Sequence, residues 1–523
     1  MRPALLLAYV AVLLAPTTTA APTPKVQRTI TDSTLVVDAS DAGTTIALSR
    51  PSSRLTRRDG TIDLGEAELH LARARAKFAR GLANFEANTG ERHFLAPAFA
   101  DPSLLPPFDG SAQEAIGEAV EAGSDTSSSA SPARRDKIFG ESGIRLHGIP
   151  DPLPAPSTES SAAKRRAMRK RWVPNPKVIA NPKFTGKGGS SSTAKTGSVG
   201  LTNYGDGTIF YGSLKVGSQG QAFTVNIDTG SADLWLPSAS CNSAACNAHT
   251  KYDPSTSTTS ALVAGKNLNI QYGDGSSTSG VVYTDNVNFG GLTATAQSLG
   301  VATSMSSGFQ SDPYDGLLGM AYGSISTMGT TPLFQNLISQ GKVAKSQFST
   351  YLAASGSELY LGGMNSARYV AGSTHWYPVI SQGYWTLAAK AIVAKNTVAS
   401  LGTFNALVDT GTSVIVAPTA SAQQFWASVP NAAPYGSGGY WTYLCATPPN
   451  IAFAFGTGFG ELWTVSPQAF NLGRISTGSD RCVGAVVGAD IGINAWVLGD
   501  TFLQSVYTTF DLSTNQVGFS TLA

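Results

Sequence analysis

Two short stretches of the chain hold residues able to do acid–base chemistry. One is Val225-Asn226-Ile227-Asp228-Thr229-Gly230-Ser231. The other, 181 residues later, is Leu407-Val408-Asp409-Thr410-Gly411-Thr412-Ser413. In each, an apolar, strand-like run delivers an Asp into a Thr-Gly-Ser/Thr turn. A carboxylate at the end of a buried strand is costly unless it is hydrogen-bonded. The Thr and Ser/Thr hydroxyls and the backbone N–H groups of the turn are suitable donors, and Gly230 and Gly411 let the chain turn where a side chain would clash. If the two turns face each other, their carboxylates share a proton. One is then a base and the other an acid, as water-mediated hydrolysis of an amide requires.

The elements that position these turns also repeat. Asp228 is followed by Leu317-Leu318-Gly319 and Asp409 by Val497-Leu498-Gly499, with the Gly 91 and 90 positions on. Around them the pattern is β. Thr208–Val216, Ala222–Ile227, Val281–Phe289, Glu358–Leu361 and Thr386–Ile392 alternate with Gly, Asp, Asn and Ser turns. Only a few segments, such as Pro332–Gln340 and Ala420–Val429, look helical. The expected architecture is all-β. Two similar lobes, 198–370 and 371–523, would each thread a strand through an Asp loop, and the loops would meet at the lobe boundary, where ligand sites are favoured.

The 523 residues exceed one ordinary core. Net charge is only +2, which argues against nucleic acid as the main partner. Charge is unevenly spread: residues 1–171 hold 22 Lys+Arg and 19 Asp+Glu, and the remainder holds 14 and 15. Residues 1–20 read as a secretory signal, with Arg2 as its charged start, Ala4–Leu14 as its apolar middle and small residues around Thr18–Ala21. That apolar run is too short to span a membrane comfortably. Residues 64–88 read as a helix, with Leu64, Leu69, Leu71, Ala74, Phe78, Leu82 and Phe85 at near-helical spacing and Arg73, Arg75, Lys77 and Arg80 making it basic. Residues 89–163 read as a Ser-, Pro-, Ala- and Gly-rich linker. The cluster Lys164–Arg171 reads as a processing site for a kexin-like protease, cut after Lys170-Arg171. Residues 172–197 would be a flexible leader of the released body. Four cysteines, Cys241, Cys246, Cys445 and Cys482, lack metal-type spacing and in a secreted chain read as two disulfides. Three connectivities are open. The preferred one, Cys241–Cys246 with Cys445–Cys482, closes each loop within one half of the repeat.

Five stretches carry a family resemblance: FTVNIDTGSADLWLPS (223–238), YGDGSSTSG (272–280), DGLLGMAYGSIS (315–326), ALVDTGTSVIVAP (406–418) and AWVLGDTFLQSVYTTFD (495–511). In that order and at that spacing they resemble the pepsin-like aspartic endopeptidases, especially the secreted fungal ones. The resemblance covers the body from about residue 200 to the end. It implies a bilobal fold preceded by signal and pro-segment, with Asp228 and Asp409 as the catalytic pair. It implies Tyr272, with Gly273, on a mobile flap that closes near Trp235, and Gly230, Gly411, Thr412, Phe309 and Leu317 around the substrate. Ser231 and Thr412 match the hydroxyls that support the carboxylates, and Asp500 matches a carboxylate behind them. Asp274 matches an acidic flap position that in some fungal relatives admits Lys to the first pocket. Ala232 departs from the family's frequent Ser.

The resemblance also implies an acid-active endopeptidase that prefers large apolar residues around the cut. It is expected to be secreted, monomeric and free of metal or cofactor, with protein and peptide substrates and neither nucleic acid nor membrane as partner. Residues 21–171 would be its pro-segment and intramolecular inhibitor. The basic helix, through Lys77, would pair with the ionised carboxylates near neutral pH and loosen in acid. Rival chemistries fit poorly. A serine or cysteine hydrolase needs a His base, and beyond residue 172 only His249 and His375 remain, neither in a catalytic motif. No H-E-x-x-H is present for zinc, and a two-carboxylate glycosidase explains neither repeat nor flap. An inactive binding protein of the same fold would be expected to have lost an Asp or the flap Tyr.

Overall fold

The strand that ends in the first Asp, β1 (Gln221–Asp228), is followed by β2 (Leu234–Pro237), β3 (Leu292–Met305) and β4 (Gly316–Gly319). The second half repeats the series as β5 (Phe404–Val408), β6 (Ile415–Ala417), β7 (Val486–Gly488) and β8 (Trp496–Leu498). This is a computed structural model, and it describes residues 28–31, 34–38, 45–49, 55–96, 195–271, 276–394, 397–398, 402–456 and 461–523. β4 lies parallel to β1, with Gly319 opposite Asp228, and antiparallel to β2, which runs parallel to β3. β8 lies parallel to β5 and antiparallel to β6, which runs parallel to β7. The repeated apolar-apolar-Gly element is therefore the strand wedged between the Asp strand and the strand leaving its turn. Glycine ends the wedge because of the close approach there. A Cβ at Gly319 would meet the backbone of Ala232 and Asp233, and one at Gly499 the carbonyls of Thr412 and Val414.

The protein is mostly β. Among the described residues the largest sheet has 13 strands. Its order runs His375–Pro378, Gln516–Ser520, Tyr507–Asp511, Gln347–Tyr351, Ser357–Leu361 and Gly197–Tyr204 before entering the first half. Strands late in the chain thus share a sheet with the strand that opens the body. Phe348 and Phe510 stack across this sheet at 4.7 Å, and Trp385 packs 5.0 Å from Phe510. All three are fully buried, which binds the two halves through aromatic area. The second half adds sheets of eight and four strands. Disulfides join Cys241 to Cys246 and Cys445 to Cys482.

Helix α1 (Leu64–Thr89) is the longest helix described. The Asp63 side chain caps it by accepting from the Glu66 N–H, and left-handed Gly90 ends it. It buries Leu71, Ala74, Phe78 and Phe85 against the body. Neither α1 nor any other described helix is long and apolar enough to cross a membrane. A separate unit contains three short strands, Arg28–Thr31, Thr34–Asp38 and Thr45–Ser49, which form an antiparallel sheet.

Candidate active site

Asp228 and Asp409 end β1 and follow β5, and both are buried. Each carboxylate is held in the same way. The Gly230 N–H donates to Asp228 Oδ1 at 2.9 Å and the Ser231 hydroxyl to Oδ2 at 2.6 Å. The Gly411 N–H donates to Asp409 Oδ1 at 3.0 Å and the Thr412 hydroxyl to Oδ2 at 2.5 Å. A Cβ on Gly411 would run into the Asp228 carboxylate, and one on Gly230 into that of Asp409. The glycines of the two turns thus leave room for the opposite acid.

The threonines of the turns take a different part from the one their sequence position suggests. Thr229 and Thr410 do not bond the carboxylates. Each hydroxyl crosses to the other half, accepting from the other threonine's N–H at 3.1 and 3.0 Å. Each also donates to a carbonyl of the opposite Asp strand, Thr229 to Val408 at 3.1 Å and Thr410 to Ile227 at 2.7 Å. These four buried bonds lock the two loops together at about 1 kcal/mol net each. Two backbones, rather than two flexible side chains, therefore fix the separation of the acids.

Helix α1 lies across both halves at this point. Lys77 Nζ is 3.2 Å from Asp228 Oδ1, 2.6 Å from Asp409 Oδ2 and 3.4 Å from the Thr412 hydroxyl. One ammonium thus touches both carboxylates at once. Burial pulls the Lys77 ammonium down, but the charges of Asp228 and Asp409 more than offset this and hold it above the usual lysine range. Burial pushes Asp228 up, and Lys77, Ser231 and the Gly230 N–H together bring it below its ordinary value. Asp409 stays raised, through burial first and the neighbouring Asp228 charge after it, despite Lys77. The two acids are therefore split, with Asp228 the more readily ionised.

Contacts spread along the rest of α1. His70 Nδ1 lies 3.0 Å from the Ser413 hydroxyl, Arg80 donates to the Gln271 carbonyl, and Asn84 and Asn88 donate to carbonyls of Ile325, Ser324 and Ser326. From the second half, Tyr440 donates to the Ala67 carbonyl at 2.8 Å and the Asn494 N–H to the Leu95 carbonyl at 2.9 Å. Beyond the helix end, His93 is buried between Phe85 and Tyr384, its ring edge-on to both. Its Nδ1 accepts from the Leu95 N–H, and its Nε2 has no partner.

Of the other residues singled out from the sequence, Trp235 and Phe309 pack edge to face at 5.6 Å and line one cavity with Leu317 and Asp228. Trp235 Nε1 is buried without a partner among the described residues. Tyr272, Gly273 and Asp274 lie outside the described residues, between the hairpin strands Ala261–Gln271 and Ser277–Phe289. Lys170, Arg171, the signal and the leader up to residue 194 also lie outside them. Asp500 is fully buried at the start of a short turn of helix, and its N–H donates to the Thr412 carbonyl at 2.8 Å. Both its carboxyl oxygens lack partners, and burial, with the Asp409 charge behind it, pushes it well above the carboxylate range. Missing from the sequence reading were Asn226, Asp312 and His70, whose places depend on long-range packing.

Comparison with known proteins agrees with this geometry. The family model for eukaryotic aspartyl proteases matches residues 209–522. An aspartic protease of Phaffia rhodozyma is 43% identical over 335 residues, which is 63% of this chain and 80% of that protein. Pepsin A of Sus scrofa is 37% identical over 64% of this chain and 86% of its own. Cathepsin E of Rattus norvegicus is 39% identical over 61% and 81%.

Proposed function

Because the chain belongs to the eukaryotic aspartyl protease family and is an aspartic endopeptidase, we propose that Asp228 and Asp409 together activate one water for peptide-bond hydrolysis. The observation that carries this reading is the bridging of both carboxylates by a single Nζ, at a point where a water would reach both. Asp228, as the ionised partner, takes a proton from the water as its oxygen bonds the scissile carbonyl carbon. Protonated Asp409 gives its proton to the carbonyl oxygen, so the tetrahedral intermediate is an uncharged diol. The proton on Asp228 then passes to the amide nitrogen, the C–N bond breaks, and a diol hydroxyl returns a proton to Asp409. Apolar walls at Trp235, Phe309 and Leu317 support a preference for large side chains with apolar surface. The measurement is digestion of casein at about pH 3–4, where one of the two acids retains its proton, with and without a statine-type inhibitor. Cleavage that the inhibitor leaves untouched would overturn the reading.

The chain is proposed to be secreted as a zymogen, with residues 21–171 as its pro-segment. Docked Lys77 favours two ionised carboxylates, whereas the free pair keeps a shared proton, so docking weakens as pH falls. His93 acts in the same direction. Burial lowers its pKa from 6.5 to about 4 while α1 is docked, and release restores the ordinary value. The docked state binds fewer protons, so its advantage is complete above about pH 6.5 and is lost as pH falls towards 4. The free-energy span is about 1–3 kcal/mol, allowing for partial hydration of the ring edge. His93→Phe keeps the ring packing and removes the titration. It should slow activation at about pH 5 roughly five- to tenfold and leave latency at neutral pH intact. An unchanged rate-versus-pH curve would remove His93 from the trigger.

A further inference from the structure

Arg73 is one turn of α1 before Lys77, and its guanidinium enters the same cavity. There it donates to the Gly308 carbonyl at 3.2 Å and lies 3.9 Å from the Asp312 carboxylate, whose side chain is only 2% exposed. On its own helix Arg73 is also within electrostatic reach of Glu66. Asn226, on strand β1 two residues before the first Asp, lines the cavity as well, and its side-chain carbonyl is buried without a partner among the described residues. The groups that face the Arg73 guanidinium are acceptors, the Asp312 carboxylate and the Gly308 carbonyl, and the Asn226 side-chain oxygen lines the same cavity beside the hydroxyls of Tyr314, Thr412 and Ser413. Its other walls are the apolar faces of Trp235, Phe309 and Leu317. A pocket with apolar sides and an acceptor end suits one kind of side chain, a long aliphatic stem carrying a cation. Arg73 is such a side chain, already seated there by the chain itself.

We propose that, once α1 has left, this pocket takes an arginine or lysine side chain of the substrate, and that Asp312 and Asn226 determine that selectivity. The proposal rests on the proteolytic reading given above and narrows its substrate class. A purely apolar side chain would fill the walls but offer the buried Asp312 carboxylate nothing in place of the Arg73 guanidinium, which costs free energy. The cationic head supplies charge-assisted bonds in its place, each stronger than a neutral one. Discrimination then comes as much from rejecting the apolar competitor as from attracting the basic one.

The experiment uses the activated enzyme and peptide pairs that carry either arginine or norleucine, the matching stem without the charge, at each position flanking the cut. At about pH 5, where carboxylates are mostly ionised, one position should show kcat/KM at least ~10-fold higher for arginine. Asp312→Asn should bring that ratio close to one and leave the norleucine peptide within about threefold of the parent. A buried carboxylate can also support the fold, so Asn226→Leu, altering another acceptor of the pocket, provides the second variant and should lower the same ratio. A parent ratio near one at every position, or an Asp312→Asn effect equal on both peptides together with no effect of Asn226→Leu, overturns the proposal. Cleavage of norleucine peptides without gain for arginine defeats this proposal alone. Absence of cleavage with either peptide, together with no binding of a statine-type inhibitor, defeats the proteolytic reading and this one with it.

Discussion

Asp228→Asn and Asp409→Asn should each yield a folded protein that cleaves peptides at least about a thousandfold more slowly than the parent. The reason is proton traffic. A carboxylate can take the water proton and pass it on, and a carboxamide can do neither at these pH values. General acid–base catalysis contributes about 10²- to 10⁴-fold per group. The two acids work as a unit, so either loss should approach the loss of both. The fold should tolerate the change. An Asn side-chain oxygen can still accept from the Gly230 N–H or the Gly411 N–H. At Asp409 the substitution removes a charge that burial already disfavours. Steady-state kinetics on a small peptide, read beside thermal unfolding, would test this. Full activity in a folded variant of either kind would refute the paired-acid mechanism.

If α1 is the inhibitory pro-segment proposed above, Lys77→Met should make the full-length chain active near neutral pH with no acid step. Methionine keeps most of the aliphatic stem but removes the ammonium that bridges both acids. Removing one partner from a buried ion pair costs about 3–5 kcal/mol, because the charges left behind are uncompensated. Here the free pair can recover a shared proton, so the lower end applies, and helix docking should weaken about a hundredfold or more. The remaining polar contacts, among them those of His70, Arg80, Asn84 and Asn88, lie along the helix on either side of Lys77 and do not reach the two carboxylates. The measurement is hydrolysis of a short peptide at about pH 6 by the full-length chain before any exposure to acid. A precursor as latent as the parent would mean that Lys77 is not the residue that closes the site.

What could be read from the sequence was local. The Asp-Thr-Gly turns are legible as a repeated motif, and the wedge glycines because each answers a close approach within its own half, Gly319 to the Ala232–Asp233 backbone and Gly499 to Thr412 and Val414. The helical spacing from Leu64 to Phe85 is likewise a short-range signal, and the helix runs Leu64–Thr89. The illegible parts depend on how distant pieces are set against one another. Nothing in Thr229 or Thr410 announces that their hydroxyls turn away from the neighbouring acids, since the alternative partners, Val408 and Ile227, lie on the other repeat. Asp312 reads as an ordinary turn residue until Arg73, 239 positions earlier, is placed beside it. The sheet order could not be read either. Strands at 375–378, 507–511 and 516–520 extend the sheet of the opening strand beyond Gln347–Tyr351 and Ser357–Leu361, and no periodicity encodes that.

That sheet order has a consequence for how the polypeptide is made. Gln347–Tyr351 finds one of its neighbours in Tyr507–Asp511, which leaves the ribosome roughly 10–30 s later at ordinary translation speeds. Until then Phe348 has no Phe510 to stack on, and a wide apolar edge stands open. Final closure is therefore post-translational, and the nascent chain is a natural client for chaperones. Helix α1 is translated before either half and is already at hand when the last strands arrive.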